Sequence, residues 1–369
     1  MPSFRDAHLR HAEHYRAILN VANQLYEQGG DALEQGLDWF DRDWTNIRSG
    51  LNWAAENFGS DSAAAMLCSQ YVDSGAEIFQ LRLHPRQRLK WLRAALIAAQ
   101  LSKDRAREGK HSGNLGITYG LLGRLSEAKP CVEQHLAIAR ELGDRQGEGR
   151  ALGNLGNLYN LIGERQKAIE LYQQRLNITR QMGDRLGEAQ ALSNLGMAYE
   201  NLGEMGPALE FQKQGLAIKR EIGDRYGEVQ ALTNLGVVYA DIGDVRRAIE
   251  CQEQALEIAR DIGDERGEGA ALGNLGARYL DLGKAQVAVE FFRQQLDIAR
   301  RTGDLHSEGT ALWNMSMALE KLRDQAQSLA HAESALRIYE QIQDPRAANV
   351  RGLLRRLSRD VSKKRWRFW

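Results

Sequence analysis

Residues 183–204 read GDRLGEAQALSNLGMAYENLGE. Forty residues earlier, at 143–164, the chain reads GDRQGEGRALGNLGNLYNLIGE, and forty later, at 223–244, it reads GDRYGEVQALTNLGVVYADIGD. The restatement extends outward in both directions. Asn114, Asn154, Asn194, Asn234, Asn274 and Asn314 stand 40 apart. Leu115, Leu155, Leu195, Leu235 and Leu275 follow them, with Met315 in the last copy; then come Gly116, Gly156, Gly196, Gly236 and Gly276. Tyr119, Tyr159, Tyr199, Tyr239 and Tyr279 lie three further on, and Ala128, Ala168, Ala208, Ala248 and Ala288 nine beyond those. A fixed period of this size marks a solenoid, in which one unit cannot bury its apolar face alone and stacks on the next.

Each period predicts two helices. Asp144 is placed to cap the first, which runs to about Ile162 with Leu152, Leu155, Leu158 or Tyr159, and Ile162 at helical spacing. Gly163 is its stop. The second runs from about Arg165 to Met182, with Ala168, Ile169, Tyr172, Leu176 and Ile178 on one stripe and Gly183 at its end. Asp144, Asp184, Asp224, Asp264 and Asp304 are read as caps, where a carboxylate accepts orphan amide hydrogens and suits the helix dipole. The other recurring acids are assigned to caps and solvated faces. Gly156 in mid-helix costs about 1 kcal/mol in propensity; its recurrence predicts a crossing helix too close for a Cβ. Tyr199 is expected in the core between the paired helices.

The 369 residues carry 49 Lys plus Arg against 49 Asp plus Glu, a formal net charge of zero. That balance points to neither nucleic acid nor a membrane surface as a partner of the whole chain. The first residues, MPSFRDAHLRHAEHY, hold no apolar core of a signal peptide. Apolar runs such as Ala94–Ala99 fall far short of the roughly 20 residues of a membrane span. Cys68, Cys131 and Cys251 match no metal or disulfide pattern and are read as small core residues. The expectation is a soluble chain of the reducing cytoplasm.

Chemistry is sparse. His8, His11 and His14 sit three apart, without a Cys or carboxylate at ligand spacing, and are read as surface or satisfied histidines. REGKHS at 107–112 contains Gly-Lys but not a phosphate loop. With no nucleophile–base pair either, the sequence predicts no enzyme activity, no metal and no cofactor.

Leu155, Gly156, Tyr159, Ala168 and Tyr172 follow the tetratricopeptide pattern L-G-x2-Y, A and x3-aromatic, and the chain resembles that repeat family over about 103–340. The period of 40 with GD at its boundary and NLG inside is similar to the repeats of the Partner of Inscuteable/LGN scaffolds and of kinesin light chain. RHAEHYRAIL (10–19) and WFDRDWTNIRSGLNWAAENF (39–58), with Trp44, Ile47, Leu51 and Ala54 or Ala55 on one face, resemble the helical segment leading to the repeat arm of bacterial STAND signalling ATPases. The resemblance implies an all-α, right-handed superhelical solenoid. Its parts are expected to be an N-terminal helical segment (1–60), a degenerate first repeat (61–102), six 40-residue repeats (103–342), and a capping helix with a basic-aromatic tail (343–369). Trp91, Leu92, Ile97 and Leu101 are aligned with the second-helix stripe of the degenerate copy. The last full copy departs from the pattern, with Ser316 for Gly, Leu319 for Tyr and Arg323 for the helix-ending Gly.

The resemblance also implies a concave groove lined by the first helix of each pair. Taking Gly156 as position eight, the second, fifth, sixth, ninth, twelfth and thirteenth positions face it. The sixth is the Asn of every copy. A ladder of Asn114, Asn154, Asn194, Asn234, Asn274 and Asn314 can hold the backbone of an extended peptide irrespective of its sequence. The alternative role is to bond loop carbonyls between helices. The second position varies through Lys110, Arg150, Gln190, Gln230, Ala270 and Thr310; the fifth is small except for Trp313; the thirteenth reads Leu121, Leu161, Asn201, Asp241, Asp281 and Lys321. Glu200 and Glu320 occupy the twelfth. The groove is therefore expected to run from basic to acidic.

The expected function is a protein-interaction module taking a peptide or protein segment in that groove, as a scaffold or signalling sensor arm. The alternatives are a small-peptide receptor and a regulatory fragment of a STAND ATPase acting in cis. From Arg351 the chain holds eight Lys or Arg against one acid and ends in Trp366, Phe368 and Trp369. This tail is the one place where nucleic acid or an acidic membrane would be met.

Overall fold

The computed structural model describes residues 3–28 and 31–355, and among them there are helices and no strands. In chain order these are α1 (Phe4–Gln28), α2 (Asp31–Asn57), α3 (Ser62–Ser74), α4 (Ala76–Arg82), α5 (Pro85–Leu101), α6 (Arg105–Leu121), α7 (Leu125–Leu142), α8 (Arg145–Ile162), α9 (Arg165–Met182) and α10 (Arg185–Leu202). They continue as α11 (Met205–Glu221), α12 (Arg225–Asp241), α13 (Val245–Asp261), α14 (Glu265–Asp281), α15 (Ala285–Thr302), α16 (Leu305–Lys321) and α17 (Gln325–Gln341). Residues 347–355 are helical as well. The chain divides into two compact units, 1–187 and 188–369. The basic tail lies, from residue 356 on, outside the described residues.

Boundaries follow the local chemistry. Asp144, Asp184, Asp224 and Asp264 each accept the amide of the glycine three residues on, at 2.8, 2.8, 2.8 and 3.0 Å, and Asp304 accepts that of Ser307 at 3.0 Å. Ten glycines at the ends of helices hold positive φ, among them Gly163 at 90°. Arg323 takes the same left-handed conformation, φ 63°, although it carries a Cβ, and so do Lys103 and Gln343.

In the N-terminal unit α1 and α2 form an antiparallel pair whose buried face includes Leu19, Ile47, Leu51 and Ala54. Tyr71 of α3 donates to the carbonyl of Ala12 at 2.8 Å and ties α3 to the pair. The first helix of the next pair is broken into α3 and α4 at Gly75, where a Cβ would meet the Leu19 side chain at 2.8 Å. Trp91 and Leu92 are buried as expected, but Ile97 and Leu101 of α5 are exposed at 46% and 58%. The stripe of α5 therefore turns away earlier than the alignment predicts. Ile162, the last residue of α8, also faces water.

Packing within a pair rests on a small residue in the first helix and the residue sixteen further on in the second. Gly156 takes Tyr172 and, in the C-terminal unit, Gly276 takes Phe292; a Cβ on either glycine would lie 2.5 Å from the ring. In the last pair the sizes reverse. Ser316 is the larger partner and Ala332 the smaller, both fully buried. Ser316 Oγ donates to the Ser328 carbonyl at 2.8 Å, and Ser328 Oγ to the Ser316 carbonyl at 2.9 Å. Tyr199 is half-buried rather than a core residue, its ring stacked on Phe211 at 5.5 Å.

One class of acids departs from the expected solvated face. Glu108, Glu148, Glu188 and Glu228 are all under a tenth exposed. Glu148 accepts from Arg140 of the preceding helix at 2.9 Å and from Arg145 at 2.7 Å; Glu228 does so from Arg220 at 2.7 Å and Arg225 at 3.0 Å. Glu148 and Glu228 each join one helix pair to the next, a role that accounts for an acid recurring with the period.

Candidate ligand groove

The six ladder asparagines are half-buried, while the Leu or Met beside each is buried. That pairing follows from helical geometry: adjacent residues point about 100° apart, so the apolar one takes the core and the amide is left at its edge. Among the described residues none of the six side chains hydrogen-bonds within the molecule. The bridging role towards loop carbonyls is therefore absent, and the amide groups remain available.

In the C-terminal unit, Gln190, Asn194, Gln230 and Asn234 line one open cleft of about 520 Å³, with Ser193 and Thr233 between them. Ser193 Oγ is buried there without a partner. The cleft has a base that the first-helix reading did not include. Lys219, from the second helix α11, is 5% exposed and lines it. Burial pulls its ammonium pKa down, with Asp224 opposing. A signal was present in the sequence: the same repeat position holds Ala99, Ala139, Thr179, Ala259, Ala299 and Tyr339, and Lys219 is the one charged residue among them. Arg266 and Asp264 stand at the rim. The cleft is thus not simply acidic, as a count of first-helix residues predicted. Acidity does gather further along the helices, where burial and the neighbouring Asp241 push the Glu200 carboxyl up.

The remaining candidates are dispersed. Asn201, Asp241 and Asp281 are exposed at the C-terminal ends of α10, α12 and α14, outside the cleft. Asn274 is half-buried on α14. Trp313 packs partly into the core of the last pairs, so its bulk is divided between core and surface beside Asn314. In the N-terminal unit Lys110 and Arg150 are exposed, as are Leu121 and Leu161 at 64% and 66%. Asn114 lines a separate apolar pocket with Phe79 and Trp91, whereas Asn154 sits beside Gly153 on α8.

Nothing among the described residues forms a metal cluster of three or more His, Cys, Asp or Glu. His8 stacks on Trp53 and His11 and His14 pack on Tyr15. The Cys68 thiol is pushed up to about 12 and that of Cys251 to about 11 by burial, so both stay protonated.

These features define an all-helical repeat protein with a variable cleft in a constant framework. The tetratricopeptide repeat model matches residues 107–181, 149–221, 187–261, 227–301 and 267–341, and the chain belongs to that family. Members of the family are in general non-catalytic interaction modules. No curated protein matches the chain. Among solved structures it is similar to BtubC (BKLC) from P. vanneervenii, at 22% identity and TM-score 0.53, over 60% of this chain and 92% of that one. A signal transduction ATPase with numerous domains and a tetratricopeptide repeat sensor, from Pyrococcus horikoshii, aligns at 16% identity and TM-score 0.57, over 91% of this chain and 52% of its own. A Rap protein complexed with competence and sporulation factor aligns at 13% identity and TM-score 0.57, over 95% and 99%. No helix among the described residues is long and apolar enough to cross a membrane.

Proposed function

We propose that the chain binds an extended peptide or protein segment along its first-row helices, the ladder asparagines holding the segment's backbone and the second-position residues reading its side chains. The observation that carries this is the convergence of Gln190, Asn194, Gln230 and Asn234 on one cleft in which the asparagine amides are unspent. On this reading 1–60 is a helical extension, 61–102 a degenerate repeat, 103–342 the repeat array and the rest a cap. The test is capture of protein from source lysate by the wild type, by Asn194→Ala/Asn234→Ala/Asn274→Ala and by a convex-face control, Gln173→Ala. Loss confined to the triple variant supports the groove; equal capture by all three overturns it.

A second reading, a sensor arm working with an NTPase, is favoured by the resemblance of 10–19 and 39–58 to STAND proteins and by the fold likeness to one of them. It requires an ATP-hydrolysing protein to co-purify with the chain and to change its rate when the groove is filled.

A further inference from the structure

Position 88 of α5 holds an arginine where the copies one to five periods later hold Ala128, Ala168, Ala208, Ala248 and Ala288. All five alanines are fully buried, because two helices cross there. Arg88 is buried too, 7% exposed, with its Nε in contact with neither a partner nor solvent. Among the described residues no carboxylate pairs with it. Burial alone pulls its pKa down; no neighbouring charge acts on it. A guanidinium largely withdrawn from water, its Nε unpartnered and no counter-charge beside it, is costly for a fold to hold.

Arg88 lines a pocket walled by Val72, Phe79, Trp91 and Leu92. The free room is about 30 Å³, space for two or three water-sized groups. Asn114, the first rung of the ladder, completes the lining together with exposed Gln80. The pocket therefore reaches the surface beside the groove.

We propose that this pocket is an anchor site for an acidic side chain: a glutamate of the bound segment passes Asn114 and sets its carboxylate on Arg88. The planar guanidinium fork matches a carboxylate in two parallel hydrogen bonds. The aromatic walls suit the methylene stem, and the room admits a carboxylate head but not the body of a larger anion. The site supplies the counter-charge that the fold omits, and it places the acidic preference at the basic end of the ladder. The inference rests on the groove reading for the source of the glutamate.

The experiment follows the indole resonance of Trp91, whose Nε1–H donates to Asn52 Oδ1 at 3.0 Å, in the full chain. The probes are N-acetyl-glutamate N-methylamide, its glutamine counterpart and N-acetyl-alanine, which carries only a terminal carboxylate. The glutamate probe should shift the resonance and the glutamine probe should bind about tenfold more weakly, the scale of a lost charged hydrogen bond. Arg88→Met should abolish the response and raise the melting temperature, since an apolar isostere removes an unpaired buried charge. Equal binding of the glutamate and glutamine probes overturns the proposal. So does N-acetyl-alanine binding more tightly than the glutamate probe, which would make the pocket a chain-terminus site. A lowered melting temperature in Arg88→Met would show that the guanidinium is already satisfied, with the same consequence. The small probes do not need the ladder, so a groove that fails with long segments leaves this result readable by itself.

Discussion

A Cβ built on Gly156 falls 2.5 Å from Cε1 of Tyr172, whose hydroxyl donates to Asn157 Oδ1 at 2.7 Å. The ring is 2% exposed and pinned at both ends, so it cannot yield. Gly156→Ala gains about 1 kcal/mol of helix propensity but incurs an overpacking cost of about 1–3 kcal/mol. The expected outcome is net destabilisation, read in a urea melt. A more stable variant would show that the ring moves aside. Tyr172→Ala should cost about 3–5 kcal/mol, and Tyr199→Ala less, since Tyr199 is only half-buried.

Arg323 carries a left-handed penalty that ten glycines avoid. The conformation costs an L-residue about 1–2 kcal/mol, part of which glycine returns as unfolded-chain entropy. Arg323→Gly should therefore stabilise the chain by about 0.5–1 kcal/mol. The same strain predicts faster amide exchange in α16 and α17 than in α12 and α13. If α17 proved the best protected helix of its unit, the account of the last pair would fail.

Stability should fall on acidification below neutrality. His111 and His135 are buried, and desolvation lowers the pKa of both. Around His111, Asp73 and Asp104 oppose that shift while Arg107 and Lys110 reinforce it. Each imidazole stays neutral in the fold while the unfolded chain binds its proton near pH 6.5. Their contribution is thus complete above about 6.5 and is lost as pH falls towards the folded values. The melting temperature should drop between about pH 7 and 5, and His135→Gln should flatten the drop. A profile unchanged by that substitution would assign the loss to other groups.

Replacing Asn194, Asn234 and Asn274 by Ala should weaken segment binding by roughly tenfold to a thousandfold, at about 0.5–1.5 kcal/mol per hydrogen bond, with circular dichroism unchanged. Arg150→Glu should impair an acidic segment more at low salt than at high, because exposed charges are screened over about 10 Å at 0.1 M. Salt-independent impairment would point to a packing role for Arg150.

The sequence by itself determined the helices and their ends. The 40-residue period, the Asp caps and the boundary glycines act within one or two turns, so α8 and α9 run from Arg145 to Ile162 and from Arg165 to Met182 as read. The Gly156 contact was legible too, because a costly residue kept in five of the six copies needs a neighbour to explain it. Residue burial across pairs was not. Glu148 reads as a surface acid until Arg140 of the previous helix closes over it, and Ile97 and Leu101 read as core until α5 turns them outward. Arg88 and Lys219 stand on second helices, which the pattern assigns to the framework, and only the packing of three helices around each shows that they line a pocket and a cleft. Hydrogen bonds within a helix are local and repeat with the chain. The dielectric surroundings of a charge are set by whatever packs around it, and that is decided in three dimensions.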